Sequence, residues 1–206
     1  MTVAAIILAA GESTRMGRLK QLLPWDGGSL LDWQIRELVA AGAGDVVVVL
    51  GHEAESIGGA VTEPAARIAV NAAYRQGRAS SLRCGAVAIE APVEAVVILS
   101  VDQPRPAWLT RRLIERRRET GAAIVQPRLG GRGGHPVVVA GALLAELRAV
   151  REEDQGLRAV IERHAGETLV VPVDAGDLDV DLNTPAEYEA ALAAFERGEW
   201  AVPDLR

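Results

Sequence analysis

Lysine is almost absent from this chain. Of 22 basic residues only Lys20 is a lysine, and the other 21 are arginines. Cysteine is nearly absent too: Cys84 stands alone, which excludes an internal disulfide and any cysteine-rich zinc or iron–sulfur centre, and reads as a small core residue. Aromatic residues make up 3% of the sequence, so the core must be built from Val, Leu, Ile and Ala, the usual filling of parallel sheets. Positive charge is not in excess. A net charge of −6 gives no general attraction to nucleic acid or to an anionic membrane, so an anionic ligand has to be held locally. Long hydrophobic runs are missing as well. The opening MTVAAIILAAGE is apolar but lacks a basic flank and is far too short to span a bilayer, so it reads as a first strand rather than a signal peptide, with the cytoplasm as the expected compartment.

What the chain does have is enough apolar material, 49% of 206 residues, for one domain over 1–206, with a loose tail expected at 198–206. Strand and helix signals alternate. Val3 to Ala9 is a short apolar run, Ser29 to Ala41 carries Leu31, Ile35, Leu38 and Val39 on one helical face, and Asp45 to Leu50 is a second strand. Further strands are expected at Arg67 to Val70, Ala95 to Ser100, Ala123 to Gln126, Val137 to Val139 and Thr168 to Val173. Helices are expected at Glu53 to Val61, Ala79 to Ile89, Pro106 to Thr120, Ala142 to Ala149, Gln155 to His164 and, with Thr184 as N-cap, Pro185 to Arg197. This alternation predicts an α/β fold: a mostly parallel, Rossmann-like sheet with helices on both faces.

In such a sheet ligands gather beyond the carboxyl ends of the strands, so the loops there are read together. The first, Leu8 to Lys20, reads LAAGESTRMGRLK and closes on the lone lysine. Gly11 and Gly17 allow tight turns and close approach, while Ser13, Thr14, Arg15 and Lys20 supply donors and positive charge. A compact ammonium on a flexible stem suits polyphosphate oxygens differently from the planar guanidinium fork, which gives the single lysine its meaning. The loop is not a P-loop, since five residues separate the glycines and Arg18 and Leu19 stand where Lys and Ser or Thr are required. It is not the dinucleotide fingerprint either, because the G-x-G pair is missing. A second loop, Val101 to Pro104, places Asp102 just past a strand, where a carboxylate can hold a hard divalent cation or simply form a turn before proline.

The first loop resembles the signature of the MobA-like nucleotidyltransferases, L-A-[AG]-G-x-S-x-R-M-G-x-x-K, with every fixed position filled. The resemblance implies that the loop wraps the triphosphate and base of a nucleotide. Gly11, Arg15 and Lys20 then bind phosphates, Ala9 and Ala10 lie beside the base, and Leu8 belongs to the same nucleotide-binding loop. Asp102 in D-Q-P resembles the family's metal-binding aspartate, and Asp179 to Pro185, DVDLNTP, resembles its [DN]-[IL]-[DN]-T-P element. By that match Asp102 and Asp181 hold magnesium, with Asp179 and Asn183 left open. NAAYRQGRASSL, Asn71 to Leu82, resembles the element near base and ribose, which assigns Ser80 and Ser81 to the nucleotide or to the helix start. Arg78 departs from the methionine often found there. Gly134, His135 and Pro136 resemble the G-H-P element of the cytidylyl branch, on the acceptor side, where Arg132 is the contact for an anionic group.

These resemblances cover most of the chain and imply a molybdenum cofactor cytidylyltransferase branch: Lys20, Arg15 and Asp102 catalytic, CTP and a molybdopterin-type acceptor as substrates, and a molybdoenzyme or insertion chaperone downstream. Guanylyl transfer from GTP, another small-phosphate nucleotidyltransferase, and a non-catalytic accessory protein for cofactor insertion are the alternatives. Ala10, where the guanylyl branch has glycine, favours CTP because its methyl crowds a purine more than a pyrimidine.

Overall fold

The computed structural model describes residues 2–90, 92–129, 132–173 and 180–201. In chain order the strands are β1 (Thr2–Leu8), β2 (Pro24–Trp25), β3 (Gly28–Ser29), β4 (Ala43–Leu50), β5 (Ala66–Val70), β6 (Val93–Ser100), β7 (Ile124–Leu129), β8 (Arg132–Gly133), β9 (Val137–Ala140) and β10 (Thr168–Pro172). The helices are α1 (Leu30–Ala40), α2 (Ala54–Ala60), α3 (Arg78–Ala88), α4 (Ala107–Thr120), α5 (Leu144–Arg148), α6 (Leu157–Arg163) and α7 (Pro185–Glu196). The main sheet runs β10-β7-β9-β6-β1-β4-β5, with β8 paired to β7, and β2 and β3 form a separate small hairpin.

Strands β1, β4, β5 and β6 are mutually parallel, as are β7 and β10, whereas β9 runs against both β6 and β7 and the short β8 runs against β7. The fold is therefore the mostly parallel α/β architecture that the alternating pattern predicts.

Each central strand is apolar on both faces because each face is covered. In β1, Val3, Ala5 and Ile7 join one core with Leu31, Ile35 and Leu38 of α1 and Leu109 and Leu113 of α4. Ala4 and Ile6 point the other way, into a second core with Leu82 and Ala86 of α3 and Leu144 and Leu147 of α5. The period-two alternation of a strand divides one apolar run between two layers. Chain direction explains which helix lies where. From β1 the chain crosses through α1 to β4, and from β5 it returns through α3 past β1 to β6. Right-handed crossovers in opposite directions put α1 and α3 on opposite faces, leaving a crevice at the carboxyl ends of β1 and β6.

The last described residues differ from the loose tail expected there. Trp200 is only 3% exposed. Its ring sits 5.4 Å from Trp25 and 5.8 Å from Phe195, and its carbonyl accepts from the Trp108 indole at 3.0 Å. The few aromatics of the chain are thus gathered: Trp25, Trp33, Tyr188, Phe195 and Trp200 form one cluster joining β2, α1 and α7. Composition cannot reveal that, since packing value depends on the partners. Trp200→Ala is expected to cost about 3–5 kcal/mol, the usual range for emptying a buried aromatic site. A urea titration checks it, and a midpoint unchanged from the parent would mean that the cluster does not need its fifth ring.

Candidate active site

At the crevice the exits of two strands are stitched together. The Val101 amide donates to Leu8 O at 3.0 Å and the Ala9 amide to Val49 O at 2.9 Å, so the two ligand loops leave the sheet side by side. Between them opens a cleft of about 260 Å³ whose walls include Ala10, Gly11, Ser13, Lys20, Ser81 and Asp102. Gly17 takes a φ of 69°, the left-handed region that glycine adopts without penalty, and turns the chain back toward Lys20. Gly11 works differently from the tight turn expected of it. Its φ is not positive, and a Cβ there would meet nothing within 4 Å, so the bare backbone faces open space in the cleft. Ser13, at φ 54°, is a non-glycine held in the left-handed region, with its Oγ accepting from the Lys20 amide at 3.3 Å.

Lys20 is 8% exposed, and its ammonium lies between the two loops expected to carry acids. Nζ is 3.6 Å from Asp102 Oδ2 and donates to Asn183 Oδ1 at 3.1 Å. Arg15 Nη2 donates to the same Asn183 oxygen at 2.9 Å. Residues 168 and 163 positions apart in the chain thus converge on one amide oxygen. Asp181 is placed otherwise. It is exposed, and its Oδ1 accepts from Gln103 Nε2 at 2.5 Å, whereas Asn183 holds the position beside Lys20. Asp179 lies outside the described residues.

A helix cap holds Asn183 there. Thr184 caps α7 as expected, forming a reciprocal capping box with Glu187, and the Glu187 carboxylate also accepts from the Asn183 amide at 2.9 Å. The Thr184 hydroxyl and these amides favour the ionised form and hold the Glu187 carboxyl below its ordinary pKa, with Arg15 adding to the effect. Thr184→Ala is expected to cost about 1 kcal/mol, the typical value of a lost N-cap, measured by denaturant unfolding. A loss near zero would mean that Glu187 alone secures the helix start.

The oxygen chemistry around Asp102 fits a hard divalent cation. Asp102 Oδ1 is buried without a hydrogen-bond partner among the described residues, a costly state for a carboxylate oxygen unless a cation completes it. Asn183 Oδ1 and the Asp181 carboxylate supply further oxygen donors nearby in sequence, the ligand type such ions prefer. No group of three His, Cys, Asp or Glu side chains that could hold a metal occurs among the described residues. A cation here would therefore draw remaining ligands from phosphate oxygens and water, as magnesium commonly does.

The remaining expected contacts divide. Leu8 and Ala10 line the cleft, but Ala9 is buried beneath it, its carbonyl accepting from Gln21 Nε2 at 2.6 Å. Ser81 lines the cleft, with its Oγ accepting from Asn71 Nδ2 at 3.0 Å and no acceptor for its own hydrogen among the described residues. Ser80 spends its hydroxyl internally: it donates toward Gly77 O at 2.8 Å and Ala73 O at 3.1 Å and accepts from Asn71. His135 is not in this cleft but in the wall of its neighbour. The side chain of Arg132 lies outside the described residues.

Sequence reasoning misses Arg105, which is 2% exposed. Its guanidinium donates to His135 O at 3.0 Å, Pro104 O at 2.8 Å and Val180 O at 3.3 Å, so one buried cation knots three site loops. The only signal was a charged residue between two prolines, which has no spacing rule to expose it. Glu12 is a similar tie, accepting from Tyr74 OH at 3.3 Å and Arg75 Nε at 3.1 Å across the cleft mouth, and Arg75 holds its carboxyl below the ordinary range.

With this geometry in place, comparison with known proteins is decisive at the family level: the MobA-like NTP transferase domain matches residues 5–169. The chain belongs to the MobA-like NTP transferase family. It is accordingly a nucleotidyltransferase by family. The molybdenum cofactor cytidylyltransferase of Escherichia coli K12 is 26% identical over 195 residues, spanning 94% of this chain and 97% of that protein. The nicotine blue oxidoreductase of Paenarthrobacter nicotinovorans is 32% identical over 169 residues, 78% of this chain and 82% of its own length. The bifunctional protein GlmU of Pelobacter propionicus is 37% identical over 126 residues, 59% of this chain but only 27% of that longer protein. Among solved structures, Rv0371c from Mycobacterium tuberculosis superposes with a TM-score of 0.80 at 26% identity, covering 94% of this chain and 98% of that one. A second structure of Rv0371c is a complex with manganese. Among the described residues of the MobA-like chain no helix is long and apolar enough to cross a membrane.

Proposed function

We propose that this MobA-like protein transfers a cytidylyl group from CTP to the terminal phosphate of a molybdopterin-type cofactor, releasing pyrophosphate. The observation that carries the reading is the convergence of Lys20 and Arg15 on Asn183 beside Asp102, at the mouth of a cleft floored by bare loop backbone. Two cations at one edge of the cleft are suited to the charge that builds on a departing pyrophosphate. The full-length relationship to a molybdenum cofactor cytidylyltransferase supports the choice of acceptor, and Ala10 in the cleft wall supports CTP over GTP.

In this reading an oxygen of the acceptor phosphate attacks the α-phosphorus of CTP in line. The bond from α-phosphorus to the bridging oxygen of the β-phosphate breaks, and its electron pair leaves with pyrophosphate, whose charge Lys20 and Arg15 receive. A phosphate monoester is already anionic near neutral pH, so no general base is required. Asp102, with Asp181 or Asn183, would hold a divalent ion, magnesium in our reading, and the manganese found in Rv0371c is in keeping with such a site. Bound there, the ion adds charge neutralisation on phosphate oxygens.

The nucleotide is tested by melting. With magnesium present, CTP at a hundredfold excess over its dissociation constant should raise Tm by roughly 5–10 °C, and GTP and ATP by less. Equal shifts would remove the Ala10 argument, and a larger shift with GTP would make the protein a guanylyltransferase. A shift with CTP but no pyrophosphate release on adding molybdopterin would point to an accessory protein that carries the cofactor. A second reading rests on the 32% identical oxidoreductase: if no nucleoside triphosphate shifts Tm, redox chemistry on an organic substrate takes precedence.

A further inference from the structure

The one lysine of the chain is covered in this structure. Its side chain is only 10% exposed, so an anion entering the cleft cannot reach Nζ fully until a group packed over it gives way. The polar groups against the ammonium are Asp102, at 3.6 Å, and Asn183, whose Oδ1 accepts from it at 3.1 Å. The same Oδ1 accepts from Arg15 Nη2 at 2.9 Å. An amide carbonyl oxygen has two lone pairs, and the two cations fill both. Two charged donors converging on one oxygen is the arrangement that suits an oxyanion. A neutral amide holds them less firmly than a phosphate oxygen would.

The backbone that carries Asn183 is fixed on both sides. Leu182 is fully buried and its amide donates to Asp102 O at 2.8 Å, while the Asn183 amide donates to the Glu187 carboxylate of the α7 cap at 2.9 Å. The side chain is bound by neither anchor. A rotation about its own bonds, from one staggered position to another, breaks both contacts to Oδ1 at once and leaves the helix cap intact.

We propose that the Asn183 side chain is an internal stand-in for a phosphate oxygen: it occupies Lys20 and Arg15 in the free protein, and a polyphosphate seats only by taking both cations from it. The proposal rests on the nucleotidyl-transfer reading for the kind of anion that arrives, but the competition for the two cations does not. An arriving anion displaces two charge-assisted hydrogen bonds, so the resting contact weakens the binding of any polyphosphate. The same contact re-forms as pyrophosphate departs, which favours release of that product.

The test needs neither turnover nor a metal: inorganic tripolyphosphate is titrated calorimetrically into the full chain in metal-free buffer. Asn183→Ala should bind it roughly tenfold more tightly than the parent, the scale of one hydrogen bond to a charged group that no longer has to be displaced. Damage to the fold would weaken binding instead. Asn183→Asp, whose carboxylate grips both cations, should bind roughly tenfold more weakly than the parent. The gain must also run through the lysine, so in a Lys20→Met background Asn183→Ala should gain roughly threefold or less. An Asn183→Ala affinity equal to or below the parent's overturns the proposal, and so does a full gain that survives Lys20→Met. If tripolyphosphate follows the expected order but CTP does not displace it, the transfer reading falls and the exchange at Asn183 stands. If CTP binds yet Asn183→Ala loosens tripolyphosphate, the exchange falls and the transfer reading stands.

Discussion

Asp102→Asn is expected to lower pyrophosphate release by roughly 10²–10³-fold, the scale seen when a single group stabilising transition-state charge is removed. The substitution keeps volume and removes the charge that balances Lys20 and would bind a cation through the buried Oδ1, which has no hydrogen-bond partner among the described residues. Folding should survive, because the Asp102 carbonyl, not its side chain, makes the backbone bond to the Leu182 amide at 2.8 Å. The companion variants decide which C-terminal residue joins it. Asn183→Ala should fall nearly as far, since Lys20 and Arg15 both converge on that side chain, whereas Asp181→Asn should stay within roughly tenfold of the parent because an amide oxygen still accepts from Gln103. Single-turnover rates with CTP and molybdopterin, beside manganese titrations followed by electron paramagnetic resonance, measure both effects. If Asp181→Asn abolishes turnover and weakens manganese binding, Asp181 is the ligand that the sequence motif implied, and the carboxylate must leave Gln103 when the metal arrives.

Lys20→Arg keeps the charge and is nevertheless expected to lower turnover by on the order of 10²-fold, about 2.7 kcal/mol of barrier. A guanidinium is wider than an ammonium, and the pocket around Lys20 is defined on three sides: Asp102, Asn183 and the loop that bonds its amide to Ser13. If the lysine stabilises the leaving pyrophosphate mainly in the transition state, the rate should drop by more than CTP affinity does. Calorimetry beside steady-state kinetics separates the two. An arginine variant that binds and reacts like the parent would show that the site needs only a positive charge, and the singular lysine of this chain would lose its meaning.

Much of this architecture was legible in the linear pattern. Apolar runs such as Val3 to Ala9 and Ala95 to Ser100 are too short for core helices and are rich in branched residues, so their strand character follows from local sterics and from burial on both faces. Thr184, Pro185 and Glu187 announce a helix start because capping is satisfied within four consecutive residues. The glycine loop was readable for the same reason: its backbone geometry and its charges lie within thirteen consecutive residues, Leu8 to Lys20.

The tertiary structure decided what depends on groups distant in sequence. Asn183 rather than Asp181 meets Lys20 because the direction of a side chain at residue 183 is set by the cap on α7 and by the packing of that helix against β2 and α1, not by neighbours in the motif. Ser80 bonds its hydroxyl to backbone carbonyls while Ser81, equally buried, borders the cleft, because successive residues on α3 face different surroundings, a distinction that two adjacent serines do not carry in their letters. Trp200 is core because Trp25, Trp33 and Phe195 wait for it, and Arg105 is buried because three loops bring it carbonyl oxygens. Local order follows from dihedral preference and hydrophobic period, which act over a few residues. Site geometry follows from which atoms satisfy one another once water is excluded, and that pairing exists only after the chain has folded.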